Sequence, residues 1–413
     1  MFIRFILKER EMLFRDISYQ FLAEQFHQLH LVLTFKLIMK YTIQILLLTV
    51  LFILDSCITQ FLPQTSEDKE IIVIEGLVTD KAGPNTIKLS KSLPLGGASA
   101  AKPLSGCIVS VTDDLSNSYL FTETTAGNYV SDSANFRGVI GRVYTLHIST
   151  NSDNYSRKYV SYPVEMKPVP DIDSLFWEKE TLKASAAGDP LQQGCSIYLN
   201  THDPSNQAKY YRWEYIETWK FQIPFSVPNY LCWTSAVSEE INIKNTSALG
   251  EDRIERHLVK FISNESDRLK IKYSILVNQF SLNDDEFGYW EKLQNLTEKV
   301  GGLYDIIPSS IPSNIYSPDD PNEKVLGYFS VSACSSRRIF IREYFAGQAD
   351  PYAHCADATA PIGPPIPNLG VTVWIIGSIG PLDPHWILTY DKGCADCTVR
   401  GTKTPPDFWI EDK

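Results

Sequence analysis

The chain has 413 residues and a formal net charge of −11, because 49 aspartates and glutamates outnumber 38 lysines and arginines. An acidic chain without a basic cluster argues against nucleic acid as a partner, and against binding to an anionic membrane face by charge. Attachment to a membrane must therefore come from a covalent lipid.

The amino-terminal segment predicts export. Residues 1–38 have no clear helical or strand period and no capping signals, so Met39 is interpreted as the true start and this extension is left out of the fold. Residues 43–54 form an apolar run behind Lys40. The run has the length of a signal-peptide core and is shorter than the roughly 20 apolar residues of a membrane span. Residues 39–56 are therefore predicted to be a lipoprotein signal peptide, with an anchor or core helix as the alternative.

Cys57 ends a short sequence, Leu54-Asp55-Ser56-Cys57, that resembles a bacterial lipoprotein box. In such a box a branched residue and two small residues precede an acylated cysteine, and Asp55 departs from it because a small uncharged residue is usual there. Cys57 is the predicted lipidation site, and its covalent lipid is the only cofactor expected. Multiple acyl chains would hold the protein firmly on its membrane. Residues 57–69 then form a polar tether.

Residues 70–165 predict an antiparallel β-sandwich. Short runs rich in β-branched and aromatic residues are separated by Gly, Pro, Asn and Asp, which is typical of such folds. The seven predicted strands are residues 70–80, 85–92, 106–114, 117–124, 127–133, 141–150 and 155–161. The pattern resembles the transthyretin-like, Ig-like or carboxypeptidase-regulatory sandwich, in which the glycines, here Gly127 and Gly141, occupy tight turns.

A stiff, proline-spaced connection at residues 162–173 marks the predicted domain boundary, so the second domain is residues 166–413. This larger domain is predicted to be a β-rich α+β domain and holds all eight tryptophans. Four aromatic residues of the stretch YYRWEYIETWK share one face of a predicted strand: Tyr211, Trp213, Tyr215 and Trp219. Alternation of this kind favours core packing over the alternative, stacking on sugar rings.

One prominent helix is predicted near residues 284–300. Asn283 can cap it, Glu286 completes a capping-box-like pair, and two further acidic residues favour the positive amino end. Apolar residues recur at three- and four-residue steps and form a stripe that packs on a sheet: Phe287, Trp290, Leu293, Leu296 and Val300. Calcium binding by the stretch NDDE is the alternative, but the spacing and central glycine of a calcium loop are absent.

The cysteines indicate disulfides, because envelope proteins hold such bridges. Four cysteines can close two bridges of long sequence separation: Cys232, Cys355, Cys394 and Cys397. Zinc is the alternative, since His354 adjoins one of them and His385 is near in sequence, but a second C-x-x-C is absent. A thioredoxin-like role is weaker, because the C-x-x-C lies in a turn-rich loop. The remaining cysteines are predicted to be small buried hydrophobes: Cys107, Cys195 and Cys334.

No catalytic residue and no metal ligand is predicted. The body lacks the H-E-x-x-H, G-x-S-x-G, P-loop and dinucleotide-binding motifs. Five histidines remain as bases, without a recognisable partner spacing: His147, His202, His257, His354 and His385. The carboxylates are scattered, as on a solvated acidic surface, and a glycosidase pair would be recognised only by its separation in space.

Four sequence blocks carry a family resemblance: the lipoprotein box, IIVIEGLVTD…NTIKLSKS, VGGLYDIIPSSIPSNI…NEKVLGYFSVSACSSRRIFI, and CADCTVRGTKTPPDFW. Together, over residues 57–413, they resemble a family of uncharacterised Bacteroidota lipoproteins, domain of unknown function 4249 (DUF4249). The resemblance implies acylation at Cys57 and a terminal cysteine pair at Cys394 and Cys397. It also implies an envelope accessory role, because genes of this family commonly lie beside TonB-dependent outer-membrane receptors of the starch-utilisation type.

These observations leave three functional hypotheses. The first is a non-enzymatic outer-membrane lipoprotein that contacts a TonB-dependent receptor or captures its ligand. The second is an envelope hydrolase whose site is assembled only in three dimensions, which predicts a deep pocket with converging Asp, Glu or His groups. The third is a structural or adhesion module that uses the sandwich as a stalk and proline-rich loops as contacts. The sequence CITQFLPQ lacks an acidic surface-export signal, so the side of the membrane stays open.

Overall fold

The structure is a computed structural model of the chain. It describes residues 36, 39–40, 42–45, 70–92, 101–152, 155–182, 191–298, 311–363, 372–381 and 383–411. Residues 36, 39–40 and 42–45 are helical, while Cys57, the predicted tether and the rest of the predicted signal peptide lie outside the described residues. Among the described residues, no helix is both long enough and apolar enough to cross a bilayer. The body of the protein, Asp68–Lys413, is one unit.

Strands dominate this body. Among the described residues before 166 the strands are β1 (Ile72–Thr79), β2 (Thr86–Lys91), β3 (Lys102–Pro103), β4 (Ile108–Asp113), β5 (Ser118–Thr125), β6 (Asn128–Ser131), β7 (Val143–Ser152), β8 (Tyr155–Ser161) and β9 (Val164–Glu165). The later strands are β10 (Ile172–Thr181), β11 (Gln193–His202), β12 (Tyr210–Gln222), β13 (Leu231–Val237), β14 (Asn242–Asn245), β15 (Arg253–Ile262), β16 (Lys272–Ser281), β17 (Ile315–Tyr316), β18 (Val325–Ser332), β19 (Cys334–Ile341), β20 (Ala358–Pro361), β21 (Trp374–Gly380) and β22 (Asp383–Thr389). The mainly β fold class is confirmed, and each of the seven strands predicted before residue 162 is present.

The largest sheet in the described part of the chain has eleven strands. Its order is β17-β8-β7-β4-β5-β6-β2-β1-β18, with β3 beside β2 and β9 beside β7. Neighbours on this path are antiparallel except β1 and β18, which run parallel from the Ile72–Val325 pair to the Thr79–Ser332 pair. Because β17 and β18 come from the second predicted domain, this sheet draws strands from both halves, and the predicted domain split is not confirmed.

The pairing of β1 with β18 depends on alternation and on one glycine. Ile72, Ile74 and Val78 of β1 are buried and alternate with more exposed neighbours, as expected of a strand with one face on a core. Gly327 of β18 has φ +91°, and a side chain there would overlap the backbone oxygen of Ile74. Glycine therefore permits both the backbone conformation and the close approach of the two strands.

Three smaller sheets complete the described β-structure. Their orders are β10-β11-β15, β13-β12-β16-β19 with β14 beside β12, and β20-β22-β21. The four aromatic residues predicted to face the core from β12 are at most 7% exposed: Tyr211, Trp213, Tyr215 and Trp219. That prediction is confirmed, and these rings belong to a hydrophobic core that also includes Phe221 and Tyr273.

The helix α1 (Asp284–Glu298) lies against β12 and β18. Asn283 caps it as predicted, because its Oδ1 accepts a hydrogen bond from the backbone N–H of Glu286 at 2.7 Å. Phe287 packs into a small core with Phe280 and Leu282. The predicted capping box is only half formed, since the carboxylate of Glu286 bonds to a side chain one turn further along the helix.

Candidate functional site

A cleft of about 320 Å³ lies between α1 and the strands β1, β2, β12 and β18. We call it the helix cleft. Its lining residues are Glu75, Gly76, Leu77, Thr86, Lys88, Arg212, Glu214, Tyr289, Trp290, Leu293, Tyr328 and Ser330. The cleft arises where the helix spans two sheets, and it therefore combines apolar helix residues with charged strand residues.

Arg212 is the buried cation of the helix cleft and is only 6% exposed. Its Cζ lies 4.3 Å from the ring centroid of Trp290 and 5.0 Å from that of Phe280. The Nη1 group forms an ion pair with Glu214, whereas Nε has no hydrogen-bond partner among the described residues. Aromatic faces stabilise a desolvated guanidinium. Arg212 is thus held in place with one donor unused.

Glu286 is the buried acid next to the helix cleft, with no exposed surface. Its Oε1 accepts a hydrogen bond from Nε1 of Trp290 at 3.3 Å, and within the described part of the chain its Oε2 has no partner of good geometry. Burial raises the pKa of the Glu286 carboxyl, and the positive charge of Arg212 and the hydrogen-bonding groups of Ser330 and Trp290 oppose that rise. A carboxyl in this state can accept a hydrogen bond when ionised and donate one when protonated.

Two tyrosines line the helix cleft from different elements. The ring centroids of Tyr289 on α1 and Tyr328 on β18 lie 4.9 Å apart. Burial raises the pKa of Tyr289 to about 12 and also raises the pKa of Tyr328, so both hydroxyls stay protonated at neutral pH. Glu75 and Lys88, which face each other across the β1–β2 ladder, add one exposed charge of each sign.

A larger opening, of about 560 Å³, lies at the amino end of α1 and shares Tyr289 with the helix cleft. Its charged helix residues are all exposed: Asp284, Asp285, Glu291 and Lys292. Exposed charges are the ordinary state of a helix surface, whereas buried charges with unused bonding capacity are rare. We therefore take the smaller helix cleft as the candidate site.

The unused atoms of Arg212 and Glu286 define what the helix cleft can do. A buried polar atom without a partner costs about 1–3 kcal/mol, so such atoms need a compensating role. Of the two, only Arg212 lines the cleft, so a ligand that carries an acceptor, such as a hydroxyl or an amide, would meet its guanidinium, while Glu286 lies behind the lining. The arrangement is thus suited to binding a polar ligand beside the aromatic surface of Trp290.

The four cysteines predicted to form two bridges do so. Cys232 is bonded to Cys397 and Cys355 to Cys394, across 165 and 39 residues of sequence. All four are at most 1% exposed. The C-x-x-C pair lies on two 3₁₀ helices, Lys392–Cys394 and Cys397–Val399. The two sulfurs of this motif therefore belong to different bridges. In this state they are not bonded to each other, which excludes the thioredoxin-like alternative.

Cys107, Cys195 and Cys334 are free thiols. Cys195 is fully buried, as predicted, but Cys107 and Cys334 are only half-buried. Cys107 lies just before β4 and Cys334 begins β19, at strand ends where the sheet no longer covers a side chain on both sides. The prediction of small buried hydrophobes is therefore wrong for these two.

The five histidines of the body lie on separate elements: His147 on β7, His202 on β11, His257 on β15, His354 before β20 and His385 on β22. His257 is the most perturbed, because burial lowers its pKa to about 4 and its ring lies 4.2 Å from that of Trp213. His354 belongs to a group of possible metal donors with Cys355 and Cys394, the one group of three or more found among the described residues.

Most of the chain matches the model of one known family. Residues 58–338 match the model of the family described as a domain of unknown function, DUF4249. The chain belongs to the DUF4249 family. The match covers every lining residue of the helix cleft. A search of curated proteins found no match. The family resemblance is confirmed over the matched residues, while the lipoprotein box ending at Cys57 and the closing block with Cys394 and Cys397 lie outside them.

Sequence reasoning missed Arg212, which lines the cleft of this DUF4249 protein, and Glu286, which is buried beside it. It assigns Glu286 to a helix cap, and it marks the aromatic face of β12 as core without indicating that α1 covers Arg212 on the same strand. The interpretation of the carboxylates as a solvated surface is wrong for Glu286, Glu217 and Asp252, which are at most 3% exposed. The sequence did contain one signal of this contact, the apolar stripe of α1. An apolar helix face that includes Trp290 must pack against another surface.

Proposed function

We propose that this protein is an outer-membrane lipoprotein, anchored through a lipid on Cys57, that binds a polar ligand in the helix cleft without transforming it. We further propose that it acts as the accessory partner of a TonB-dependent receptor and captures that receptor's ligand. The observation that carries the binding role is the pair of unused buried atoms, Nε of Arg212 and Oε2 of Glu286. A polar ligand in the cleft would provide the acceptor that Nε of Arg212 lacks.

The envelope location is supported by the cysteine chemistry. Two buried disulfides are the form that cysteines take in oxidising compartments, which include the bacterial periplasm and cell surface. The lipoprotein box ending at Cys57 and the DUF4249 match agree with this location. Two independent features, one in the leader and one in the body, thus favour export.

The partner is tested by purifying the natively expressed full chain from detergent-solubilised membranes, beside a Cys57→Ala variant. Mass spectrometry then identifies co-purified proteins and the mature amino terminus. We expect an acylated Cys57 at the amino terminus and a TonB-dependent receptor recovered with the wild type but not with the variant. An unmodified amino terminus would refute the anchor, and a confirmed lipid without a receptor would refute the accessory role.

The ligand role is tested by native mass spectrometry of the same purified protein. We expect a small polar molecule to co-purify with the wild type and with Arg253→Met, which changes an exposed arginine outside the cleft. Arg212→Met and Glu286→Gln are expected to lose it. Retention of the molecule by both cleft variants would place the binding site elsewhere.

A second function, envelope hydrolysis, is favoured by one observation. A fully buried carboxyl with a raised pKa beside a cleft is a common feature of acid–base catalysts. The test is hydrolysis of chromogenic esters, glycosides and phosphoesters by the wild type and by Glu286→Gln. Turnover that disappears in the variant would favour the hydrolase over the binding protein.

A further inference from the structure

Two segments at the carboxy end bring metal-binding chemistry together, far from the residues of the helix cleft in sequence. The donor atoms of His354, Cys355 and Cys394 lie within 4.8 Å of one another. Cys355 and Cys394 are bonded to each other, and a disulfide sulfur is a poor metal ligand compared with a thiolate. The group can therefore act as a metal site only after this bridge is reduced.

The distances around His354 fit a zinc ion. Its Nε2 lies 3.7 Å from Sγ of Cys394 and 3.3 Å from Oδ2 of Asp391. In tetrahedral zinc sites, bonds of about 2.0–2.3 Å place neighbouring donors about 3.3–3.8 Å apart. Oδ1 of Asp391 accepts a hydrogen bond from the backbone N–H of Gly393 at 2.7 Å, so the carboxylate presents its other oxygen to the imidazole.

The two segments are held together without the disulfide. Oδ2 of Asp357 accepts hydrogen bonds from Oγ1 of Thr389 and from the backbone N–H of Tyr390, both at 2.8 Å. Ala358 and Leu388 pair across the β20–β22 ladder next to these bonds. Opening the bridge would therefore leave Cys355 and Cys394 side by side, with room needed only for the two sulfurs to separate.

Burial differs between the donors in a way that suits metal entry. Cys355 and Cys394 are at most 1% exposed, while the side chains of His354 and Asp391 are 62% and 54% exposed. The sulfurs thus form a fixed inner side and the imidazole and carboxylate form an open side. Zinc accepts this mixed set of sulfur, nitrogen and oxygen ligands.

We propose that reduction of the Cys355–Cys394 bridge creates a zinc site formed by His354, Cys355 and Cys394, whose fourth position is left for water or for Asp391, which lies beside His354 but outside this group. Two thiols of a reductant pass two electrons and two protons to the bridge and become a disulfide themselves. Both protein thiols then release their protons as they bind Zn²⁺, so metal binding traps the reduced state. The same residues thus alternate between a covalent bridge and a metal site according to the supply of thiol reductant.

The test uses the full chain, oxidised or reduced with a phosphine that does not compete for metal, and titrated with Zn²⁺ against a chromophoric chelator. We expect one zinc per chain in the reduced form and none at this site in the oxidised form. His354→Ala should weaken binding by about 10- to 100-fold or more, because loss of even an outer partner of a zinc ligand has that effect. His385→Ala is the matched histidine control and should change nothing.

Alkylation identifies the ligands independently of affinity. Reduced protein is treated with iodoacetamide with and without Zn²⁺, and the modified cysteines are mapped by mass spectrometry. We expect zinc to protect Cys355 and Cys394, and cobalt in its place to give the absorption of a tetrahedral thiolate site. Protection of Cys394 together with Cys397, unchanged affinity in His354→Ala, or absence of zinc from the reduced protein would each overturn the proposal. Folding of the variant is verified in the oxidised form, where the bridge is intact.

Discussion

The guanidinium of Arg212 lies over the ring of Trp290, at 4.3 Å from its centroid, while the same indole donates a hydrogen bond to the carboxylate of Glu286. One aromatic side chain therefore contacts two buried opposite charges. Arg212 takes its ion pair from Glu214 instead, and Glu286 keeps an oxygen unused. Because Trp290 contacts both groups, a single substitution at any of these residues would change the surroundings of the charges in the helix cleft.

Arg212→Ala is expected to lower the free energy of unfolding by about 1.5–3 kcal/mol, because it removes the ion pair with the partly exposed Glu214 and the positive charge near the buried carboxyl of Glu286. Urea denaturation followed by circular dichroism measures the loss. Arg253→Ala, which removes an exposed ion pair with Glu251, should cost less than about 1 kcal/mol. Equal losses in the two variants would mean that Arg212 is not buried as described.

Glu286→Gln is expected to remove a pH dependence of stability. The pKa of Glu286 is raised in the folded protein above its ordinary value of 4.5, so the folded state holds its proton to higher pH than the unfolded state does. The contribution of Glu286 to stability therefore falls as pH rises from about 4.5 through the raised pKa of the folded state, and the glutamine variant should gain on the wild type over that range.

Urea denaturation at several pH values measures this difference. Glu291→Gln changes an exposed glutamate of the same helix and serves as the control, with no pH-dependent gain expected. A constant difference between Glu286→Gln and the wild type across the pH range would contradict the prediction.

The two disulfides should differ in their contribution to stability. Removing both cysteines of a bridge releases the loop it closes, and the stabilising effect grows slowly with loop length. The Cys232–Cys397 bridge closes the longer loop, so its double alanine variant should lose about 1 kcal/mol more than the Cys355–Cys394 double variant. Denaturant unfolding of the oxidised proteins measures both losses, and a reversed order would show that packing around the sulfurs outweighs loop closure.

Gly327→Ala should destabilise the parallel pairing of β1 and β18. The residue has a positive φ, and a methyl group there would overlap the backbone oxygen of Ile74, so a loss of about 2 kcal/mol or more is expected. The hydrogen-exchange rate of the β1 amides should increase as the pairing weakens. Gly250→Ala, where an added methyl group meets nothing within 4 Å, should leave stability within about 0.5 kcal/mol of the wild type.

Local patterns made part of this fold predictable. The strands up to residue 161 follow from β-branched and aromatic runs between turn residues, and the start of α1 follows from the capping side chain of Asn283. The pairing of β1 with β18 joins residues more than 250 positions apart. No local sequence period encodes such a contact. Within the described part of the two strands, Gly327 is the residue whose conformation reflects it.

The candidate site was harder to predict than the fold. The cysteines could be named as a set from their number and the expected compartment, but their pairing depends on which segments meet in space. Arg212 and Glu286 have sequence neighbours that give each an ordinary explanation, a strand surface and a helix cap. Their burial depends on α1 resting on β12 and β18, which is a tertiary contact that periodicity cannot show.

The parallel contact of β18 with β1 also sets an order of events in biosynthesis. Strands β2 to β9 of this sheet have been made by residue 165, but β1 remains an open edge until residues 325–332 follow. An unpaired edge is a template for pairing with other chains. The growing polypeptide therefore carries an unpaired edge strand while residues 166 to 324 are made, and the last strand that closes this edge comes from the distant second half of the chain.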